Sequence, residues 1–438
     1  MKQRVDVITL GCSKNLVDSE RLLKMLQDEG FDPHHDPDEA DATLGATDIV
    51  VVNTCGFIGD AKEESINTIL RYAMAKKEGL IRQLYVMGCL SQRYSRELPP
   101  EIPEVDAWFG KFDWAALIER LTNAKAHTAH GFDRVITTPP HTAYLKIAEG
   151  CNRFCAFCAI PIITGRYHSR PIDEIVDEVE SLVAKGVKEF NVIAQDLSAY
   201  GEDIYGENRL PELIDRIALI PGVEWIRLHY AYPAGFPMAL LDVMARHDNV
   251  CKYIDIALQH ASDNMLSRML RKIDAQKTAR LLDEMRRRVP GLHIRTTMMV
   301  GFPGESDDDF EQLLDFVSCQ RFERLGAFAY CEEDDTFAAR NYTDDVPPTV
   351  KQQRLSRLMA LQEQIALEQQ NAKVGTSMRV IIDREEPQYY VGRSQWDSPE
   401  VDPEVLVEKT RLLAIGGFYD VTVTEAMPFE LIAKISDD

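Results

Sequence analysis

The sequence lacks any long apolar run. No stretch of about 18 apolar residues occurs in its 438 residues, so a membrane-spanning helix is not expected. It also lacks a cleavable N-terminal signal, because it opens directly on a strand-like pattern. These two absences predict a cytoplasmic protein with no membrane partner.

Positive charge is scarce as well. The chain has 49 Lys and Arg against 71 Asp and Glu, a net charge of −22. Such a surface repels nucleic acid in general and suits a basic protein partner. Binding of RNA by a local basic patch remains open.

The sequence gives no indication that the cysteines form disulfide bonds. The chain has nine, an odd number, and six of them form two sets of three, one clustered and one at regular structural points. This pattern predicts metal ligands in a reducing compartment rather than a disulfide framework. We expect the remaining three, Cys251, Cys319 and Cys331, to be core or bystander thiols.

The clustered set is a Cys-x3-Cys-x2-Cys array formed by Cys151, Cys155 and Cys158. Cysteine thiolates are the usual protein ligands of a four-iron cubane, and three of them leave one iron open. An open coordination position is typical of a reactive metal centre rather than a structural one. The alternatives are a zinc site and three buried free thiols. Zinc would need a fourth ligand close by, and the nearest histidine is His168.

The second set is Cys12, Cys55 and Cys89, each of which follows an apolar strand pattern and has a glycine beside it. Helical patterns alternate with these strands, which predicts a doubly wound parallel sheet. Ligand sites form beyond the carboxyl ends of such strands, so the three thiols are expected to converge. They would hold a second iron–sulphur cluster; the alternative is three unrelated small residues at strand ends.

These motifs resemble those of known enzymes. The clustered array is similar to the signature of the radical S-adenosylmethionine (radical SAM) enzymes. Around the other set, Gly-Cys-Ser-Lys-Asn-Leu-Val-Asp-Ser-Glu (11–20), Asn-Thr-Cys-Gly-Phe-Ile (53–58) and Val-Met-Gly-Cys-Leu (86–90) resemble the N-terminal domain of the methylthiotransferases. Within the first motif, Asp18 and Glu20 are expected in the first turn of a helix, where acids favour the positive end of the dipole.

The resemblance implies the cofactors. In that family the clustered cysteines hold a [4Fe-4S] cluster that binds S-adenosylmethionine, which is split into a radical. The second set holds an auxiliary [4Fe-4S] cluster that delivers sulphur. Electrons would come from a reduced donor of the flavodoxin or ferredoxin type.

From Tyr144 onward, six strand–helix units predict an (α/β)6 partial barrel, which is also the architecture of the radical SAM family. Chemistry in such barrels lies at the carboxyl ends of the strands. The resemblance extends to segments at these ends. It implies that cofactor-binding residues come from them, namely Gln195, Gln259, Arg295, Gly301 and Glu305.

The last part of the chain has a different predicted secondary structure. After a long helical pattern from Val350 to Ala372, several short strand patterns predict a small β-barrel similar in size and position to a TRAM domain. The predicted domains are 1–122 (methylthiotransferase N-terminal domain), 123–142 (linker), 143–370 (radical SAM domain) and 371–438 (TRAM-like barrel).

The charge of the last segment bears on the substrate. Residues 371–438 hold 7 basic and 13 acidic residues, whereas phosphate binding depends on basic groups. We therefore expect the branch of the family that modifies the β-carbon of an aspartate in the small-subunit ribosomal protein numbered twelve. The alternative is the branch that modifies isopentenyl-adenosine in tRNA. A hypothesis from another class is an iron–sulphur sensor, which would not cleave S-adenosylmethionine.

Overall fold

The computed structural model describes residues 2–37, 48–124 and 133–436. Residues 125–132 of the predicted linker, residues 38–47 of the predicted N-terminal domain and the chain ends at 1 and 437–438 lie outside them. Among the described residues, no helix is both long enough and apolar enough to cross a membrane.

The N-terminal part is a parallel sheet with strand order β2-β1-β3-β4-β5. Its strands are β1 (Arg4–Thr9), β2 (Asp32–His35), β3 (Ile49–Thr54), β4 (Gln83–Gly88) and β5 (Ala107–Trp108). Its helices are α1 (Ser13–Asp28), α2 (Gly59–Lys77), α3 (Cys89–Arg93), α4 (Leu98–Glu101) and α5 (Trp114–Thr122). This order is that of a doubly wound fold, with the strand order reversing between β1 and β3.

The central part is an open sheet of six parallel strands in the order β13-β12-β11-β10-β9-β6. Its strands are β6 (Thr142–Lys146), β9 (Glu189–Ile193), β10 (Trp225–Ala231), β11 (Val250–Gln259), β12 (His293–Val300) and β13 (Arg324–Ala329). A small hairpin-like pair, β7 (Ala148–Glu149) and β8 (His168–Ser169), flanks the loop of clustered cysteines. The sheet has two edges, so the barrel is partial.

Helices follow the strands of this sheet along the chain. They are α6 (Ile160–Thr164), α7 (Ile172–Ala184), α8 (Glu202–Tyr205), α9 (Leu210–Ala218), α10 (Ala239–Arg246), α11 (Asp263–Arg268), α12 (Ala275–Arg288), α13 (Asp307–Gln320) and α14 (Phe337–Asn341), with a 3₁₀ turn at Leu197–Ala199. The long helix α15 (Pro348–Asn371) packs along the edge strand β13 and against α13. Leu358 and Ile365 of this helix join the main apolar core.

The C-terminal part is a closed five-stranded barrel in the order β14-β15-β16-β18-β17. Its strands are β14 (Ser377–Glu385), β15 (Tyr389–Ser394), β16 (Glu404–Glu408), β17 (Phe418–Met427) and β18 (Glu430–Ile435). Their inward side chains form a separate apolar core around Val380, Val407 and Val421.

This small barrel packs against the amino-terminal ends of the central strands. Glu189, the first residue of β9, is fully buried and paired with Arg227 of β10 and with Arg393 of β15. Arg324 at the start of β13 pairs with Asp397 at 2.6 Å. The C-terminal barrel therefore lies at the opposite end of the central sheet from the carboxyl strand ends, where βα-barrel chemistry is found.

The N-terminal sheet covers the other end, and buried ion pairs fix it there. Glu20 of α1 pairs with Arg134, which also bonds Glu178 of α7 at 2.9 Å. Asp18 of α1 pairs with Lys146 of β6. The expectation that Asp18 and Glu20 lie in the first helical turn is wrong. They lie in the second turn and face the barrel, where they are 2% and 1% exposed.

Candidate active site: a cavity lined by six cysteines

The loop of clustered cysteines follows β7 and is held in a fixed path. Gly150 has a φ of +72°, and a Cβ there would lie 2.1 Å from the carbonyl oxygen of Arg166. Only glycine fits this turn. Further along, Ala156 donates to the carbonyl of Met269, and Arg271 donates through Nη1 to the Sγ of Cys155 at 3.1 Å. The segment that follows β11, which contains Met269 and Arg271, therefore fixes the loop on the barrel.

The other three cysteines follow β1, β3 and β4, as the alternation of strands and helices predicts. A Cβ on Gly11 would lie 2.6 Å from the Cβ of Cys55, so glycine lets the ends of β1 and β3 approach closely. Asn15 fixes the group from α1. Its Nδ2 donates to the carbonyls of Leu10 and Thr54, and its Oδ1 lies 3.5 Å from the Sγ of Cys89.

All six thiols line one cavity of about 360 Å³ between the N-terminal sheet and the carboxyl ends of the barrel strands. The two sets of cysteines, far apart in sequence, are thus the two walls of one space. Apolar side chains fill much of the remaining lining, namely Phe57, Ile58, Phe157, Ile160 and Ile163.

Burial controls the protonation of these thiols. It raises the pKa of Cys151 to about 11 and that of Cys89 to about 12, and it raises the pKa of Cys55 and Cys158 as well. In the metal-free protein these four thiols are therefore neutral. A bound cationic metal centre stabilises the thiolate form and reverses this preference.

The donor chemistry fits iron–sulphur clusters better than zinc. Among the described residues, no group of three or more His, Cys, Asp or Glu side chains is arranged to hold a single metal ion. Tetrahedral zinc requires its sulphurs within about 2.3 Å of one centre, whereas a cubane spreads its thiolates over separate irons. Two sets of three thiols, with no further Cys and no His, Asp or Glu among the residues that line the cavity, match clusters that each leave one iron open.

Charged side chains around the cavity form ion pairs. Lys111 of the N-terminal domain lies 3.3 Å from Glu149 of β7, across the domain boundary. Within the central part, Arg153 lies 2.5 Å from Asp196. Burial disfavours the charged form of Glu149, but Lys146 and Lys111 outweigh it and hold its pKa at about 2. Lys111 and Arg271 were missed by the sequence analysis, because neither stands in a motif.

Two backbone irregularities aim side chains into the cavity. Tyr230 on β10 and Gln259 on β11 have φ values of +63° and +74°, and the pairing register shifts beside both. Bulges of this kind are common next to active sites, where they re-aim a side chain. Non-glycine residues in this region of backbone space carry strain, which the surrounding packing holds in place.

The five residues predicted to bind cofactor divide into two groups. Gln195 and Gln259 line the cavity, and Gln195 donates to Glu149 at 3.0 Å. The other three, Arg295, Gly301 and Glu305, lie outside the residues that line it.

Each of those three has protein partners. Arg295 lies 3.4 Å from both Asp255 and Asp402, Gly301 abuts the side chain of Lys351, and Glu305 accepts from two backbone amides beside Arg354. The structure thus brings together eight of the eleven predicted site residues; all eleven assignments stay predictions.

Family models match three consecutive parts of the chain. The Radical SAM superfamily model matches residues 145–317, and the TRAM domain model matches residues 374–435. Residues 4–110 match the model described as Uncharacterized protein family UPF0004.

Full-length similarity leads to proteins named Ribosomal protein uS12 methylthiotransferase RimO. The one from Phocaeicola vulgatus is 57% identical over 436 residues, covering 99% of both chains. The one from Porphyromonas gingivalis is 56% identical over 439 residues, covering 100% of both. The one from Cytophaga hutchinsonii is 46% identical over 435 residues, covering 99% of this chain and 98% of its own.

Among solved structures, the chain resembles the radical S-adenosylmethionine methyltransferase TsrM from Kitasatospora setae. The TM-score is 0.57 at 15% identity, covering 95% of this chain and 84% of that one. The cobalamin-dependent enzyme OxsB gives a TM-score of 0.52 at 12% identity, with 83% and 56% covered. At such identities the likeness concerns the fold. With the observed topology, these matches confirm the predicted fold class of parallel sheet, partial barrel and small β-barrel.

Proposed function

The chain belongs to the ribosomal protein uS12 methylthiotransferase (RimO) family, and we propose that it adds a methylthio group to the β-carbon of an aspartate in that small-subunit ribosomal protein. The membership confirms the family predicted from the cysteine motifs. It makes the protein a transferase that uses S-adenosylmethionine and a [4Fe-4S] cluster. The observation that most supports the proposal is the convergence of six thiols on one cavity.

The proposed reaction explains why the cavity is built this way. The β-hydrogen of an aspartate side chain is too weakly acidic for a protein base, so a cofactor radical must remove it. When bound at Cys151, Cys155 and Cys158, the cluster would supply, with S-adenosylmethionine, the radical for this step. The apolar residues keep water from the space, and the polar side chains of Gln195 and Gln259 offer hydrogen bonds for orientation.

A second [4Fe-4S] cluster at Cys12, Cys55 and Cys89 completes the proposal as the source of sulphur. Its support is geometric, because these thiols share one cavity with the first set and no seventh cysteine lies among the lining residues. Asn15 orients the group without occupying a ligand position. The acceptor carbon would then lie between the radical source and the sulphur source.

Iron counting tests the two clusters. Anaerobically reconstituted protein should hold about eight irons, and the triple alanine variant of either set should hold about four. Only the variant of Cys151, Cys155 and Cys158 should lose cleavage of S-adenosylmethionine altogether. The exposed thiol Cys319 is a control, and Cys319→Ala should keep all eight. A wild-type count of four would remove the sulphur-donor role of the second set.

Mass spectrometry tests the substrate. A peptide containing the target loop of the ribosomal protein should gain one methylthio group on its aspartate in the presence of S-adenosylmethionine and reductant. The acidic C-terminal segment and the names of the full-length relatives favour this substrate over tRNA. Modification of tRNA alone would contradict the proposal.

The electron donor is proposed to be a reduced protein of the flavodoxin or ferredoxin type that docks beside the loop of clustered cysteines. Phe154, between the cysteines of this loop, is 43% exposed, and the guanidinium of Arg166 lies 5.0 Å from its ring centre. Exposed Lys272 borders the same hollow as Phe154. This gives an acidic chain a local basic and apolar surface next to the cluster loop.

A further inference from the structure

Lys14 occupies a distinctive position in the cavity. It is the second residue of α1, two residues after Cys12, and it is 8% exposed. Its ammonium nitrogen lies 3.0 Å from the ring centre of Tyr230, which belongs to the barrel wall. Lys14 therefore reaches from the wall of the second cysteine set toward the opposite wall.

The other cations of the cavity have partners within the protein. Arg153 pairs with Asp196, Lys111 pairs with Asp18 and Glu149, and Arg271 donates to Cys155 and to the carbonyl of Ala257. These contacts hold the cavity walls in place. They leave little of these three cations for a ligand.

Lys14 differs from these three. Within the described residues, its ammonium has no carboxylate within ion-pair distance and no hydrogen-bond acceptor; it lies over the ring of Tyr230 and lines the cavity. The nearby Asp255 is engaged by Arg295 at 3.4 Å and by the backbone amide of Tyr230 at 3.2 Å. A buried ammonium without an anion is costly, and an aromatic ring offsets only part of that cost. The site therefore calls for an anionic ligand.

We propose that Lys14 binds the side-chain carboxylate of the substrate aspartate and so selects an acid over an amide. This inference rests on the proposed function. The reacting β-carbon is bonded directly to the carboxylate carbon, so holding the carboxylate places the reacting atom within one bond of a fixed point. Lys14 adjoins Cys12, on the wall proposed to carry the sulphur, where the acceptor carbon must arrive.

A double-mutant cycle measures this contact by combining Lys14→Met in the protein with replacement of the target aspartate by asparagine in the peptide. Cluster-loaded protein is titrated anaerobically with the fluorescent loop peptide carrying the target aspartate, and with the same peptide carrying asparagine. Lys14→Met should weaken binding of the aspartyl peptide by about 10- to 100-fold, because a buried charge pair is lost. Binding of the asparaginyl peptide should change by less than about threefold, within the range of one neutral hydrogen bond.

Two further variants sharpen the test. Lys24→Met removes the same charge from a half-buried position on the same helix that does not line the cavity, where Lys24 pairs with Asp28 and Asp133, and should leave both affinities unchanged. Lys14→Arg keeps the charge and should recover part of the affinity for the aspartyl peptide.

Several results would overturn the role of Lys14. Equal weakening for both peptides would assign it a structural role, and no change for either would remove it from the binding site. Loss of iron in Lys14→Met would make it a counter-ion of the cluster, and weaker binding of S-adenosylmethionine without peptide would assign it to that cofactor's carboxylate. If wild-type protein modifies the peptide, these outcomes contradict the inference alone; if it neither binds nor modifies the peptide, the proposed function fails with it.

Discussion

His260 shows how a single residue at the end of β11 is held in one protonation state. Its ring is 1% exposed, and its Nδ1 accepts a hydrogen bond from the backbone amide of Ser262 at 3.0 Å. A protonated ring would lose this bond, since both nitrogens would then be donors. Burial lowers the pKa of His260 to about 4, only partly opposed by Asp309.

This lowered pKa predicts a loss of stability in acid. The folded state prefers the neutral ring, so its contribution is complete above the unfolded pKa of about 6.5 and is lost as the pH falls through about 4. Lowering the pKa from 6.5 to about 4 corresponds to a loss of about 3 kcal/mol in the free energy of unfolding over that window. Urea unfolding of wild type should show this extra acid sensitivity relative to His260→Asn, whose amide oxygen can accept the same bond.

The exposed His168 provides the control. His168→Asn should follow the wild-type dependence on pH, because the His168 side chain is 79% exposed and its replacement disturbs no buried contact. If His260→Asn also follows it between pH 6.5 and 4, the ring of His260 is not held neutral by the fold.

At the scale of elements, helix α1 and the segment before β6 join the two walls of the cavity. Arg134 lies between Glu20 of α1 and Glu178 of α7, and all three are 3% exposed or less. Thr137, three residues later, also bonds Glu20 through its backbone amide at 2.8 Å. Arg134 and Thr137 therefore connect the N-terminal sheet to the central barrel, and we call these two residues the clamp.

Removing the clamp should separate cleavage from transfer. Arg134→Met leaves two buried carboxylates short of a partner and should lower the free energy of unfolding by about 3 kcal/mol. Cleavage of S-adenosylmethionine uses the barrel wall alone and should persist, while methylthio transfer needs both walls and should fall by at least about tenfold. Thermal unfolding and the ratio of transfer to cleavage give the two measurements.

Arg287→Met is the matched control for this change. Arg287 is exposed on α12 and pairs with Glu284 of the same helix, so its loss should alter neither measurement. An equal decline of cleavage and transfer in Arg134→Met would show that the clamp does not set the alignment of the two walls.

Local sequence patterns predicted some features of these elements and not others. Apolar strands alternating with helices, and cysteines directly after three strands, are local patterns, so they predicted both sheets and the convergence of the thiols. The buried pairs join residues far apart in the chain, such as Glu20 and Arg134, and no local pattern links such partners. The predicted linker, residues 123–142, therefore contains a buried side chain, Arg134, that no local pattern indicated. Arg295 follows the barrel alternation, but its side chain meets Asp402 of the C-terminal barrel.

At the scale of the whole molecule, the central barrel is covered at both ends by different means. The N-terminal sheet covers the carboxyl ends of the strands and contributes half of the thiols, whereas the C-terminal barrel covers the other end through Glu189 and Arg393. Within the described part of the chain, no residue of the C-terminal barrel lines the cavity.

The distribution of charge leads to a prediction about electron delivery. With a net charge of −22, the chain as a whole repels an acidic redox protein, so such a donor needs the local basic surface around Phe154. Reversing the charge of both Arg166 and Lys272 to Glu should raise the donor KM by about tenfold and flatten its dependence on salt. Cleavage of S-adenosylmethionine driven by a reduced flavodoxin is the measurement.

The small reductant dithionite separates docking from chemistry. It needs no protein surface, so the double variant should cleave S-adenosylmethionine with dithionite at the wild-type rate. Arg287→Glu, a charge reversal on the exposed face of α12, should affect neither reaction. Equal slowing with both reductants would mean that Arg166 and Lys272 act on the cysteine loop itself. Unchanged kinetics with the flavodoxin would move the docking surface elsewhere, since a donor that ignores two reversed charges beside Phe154 does not bind there.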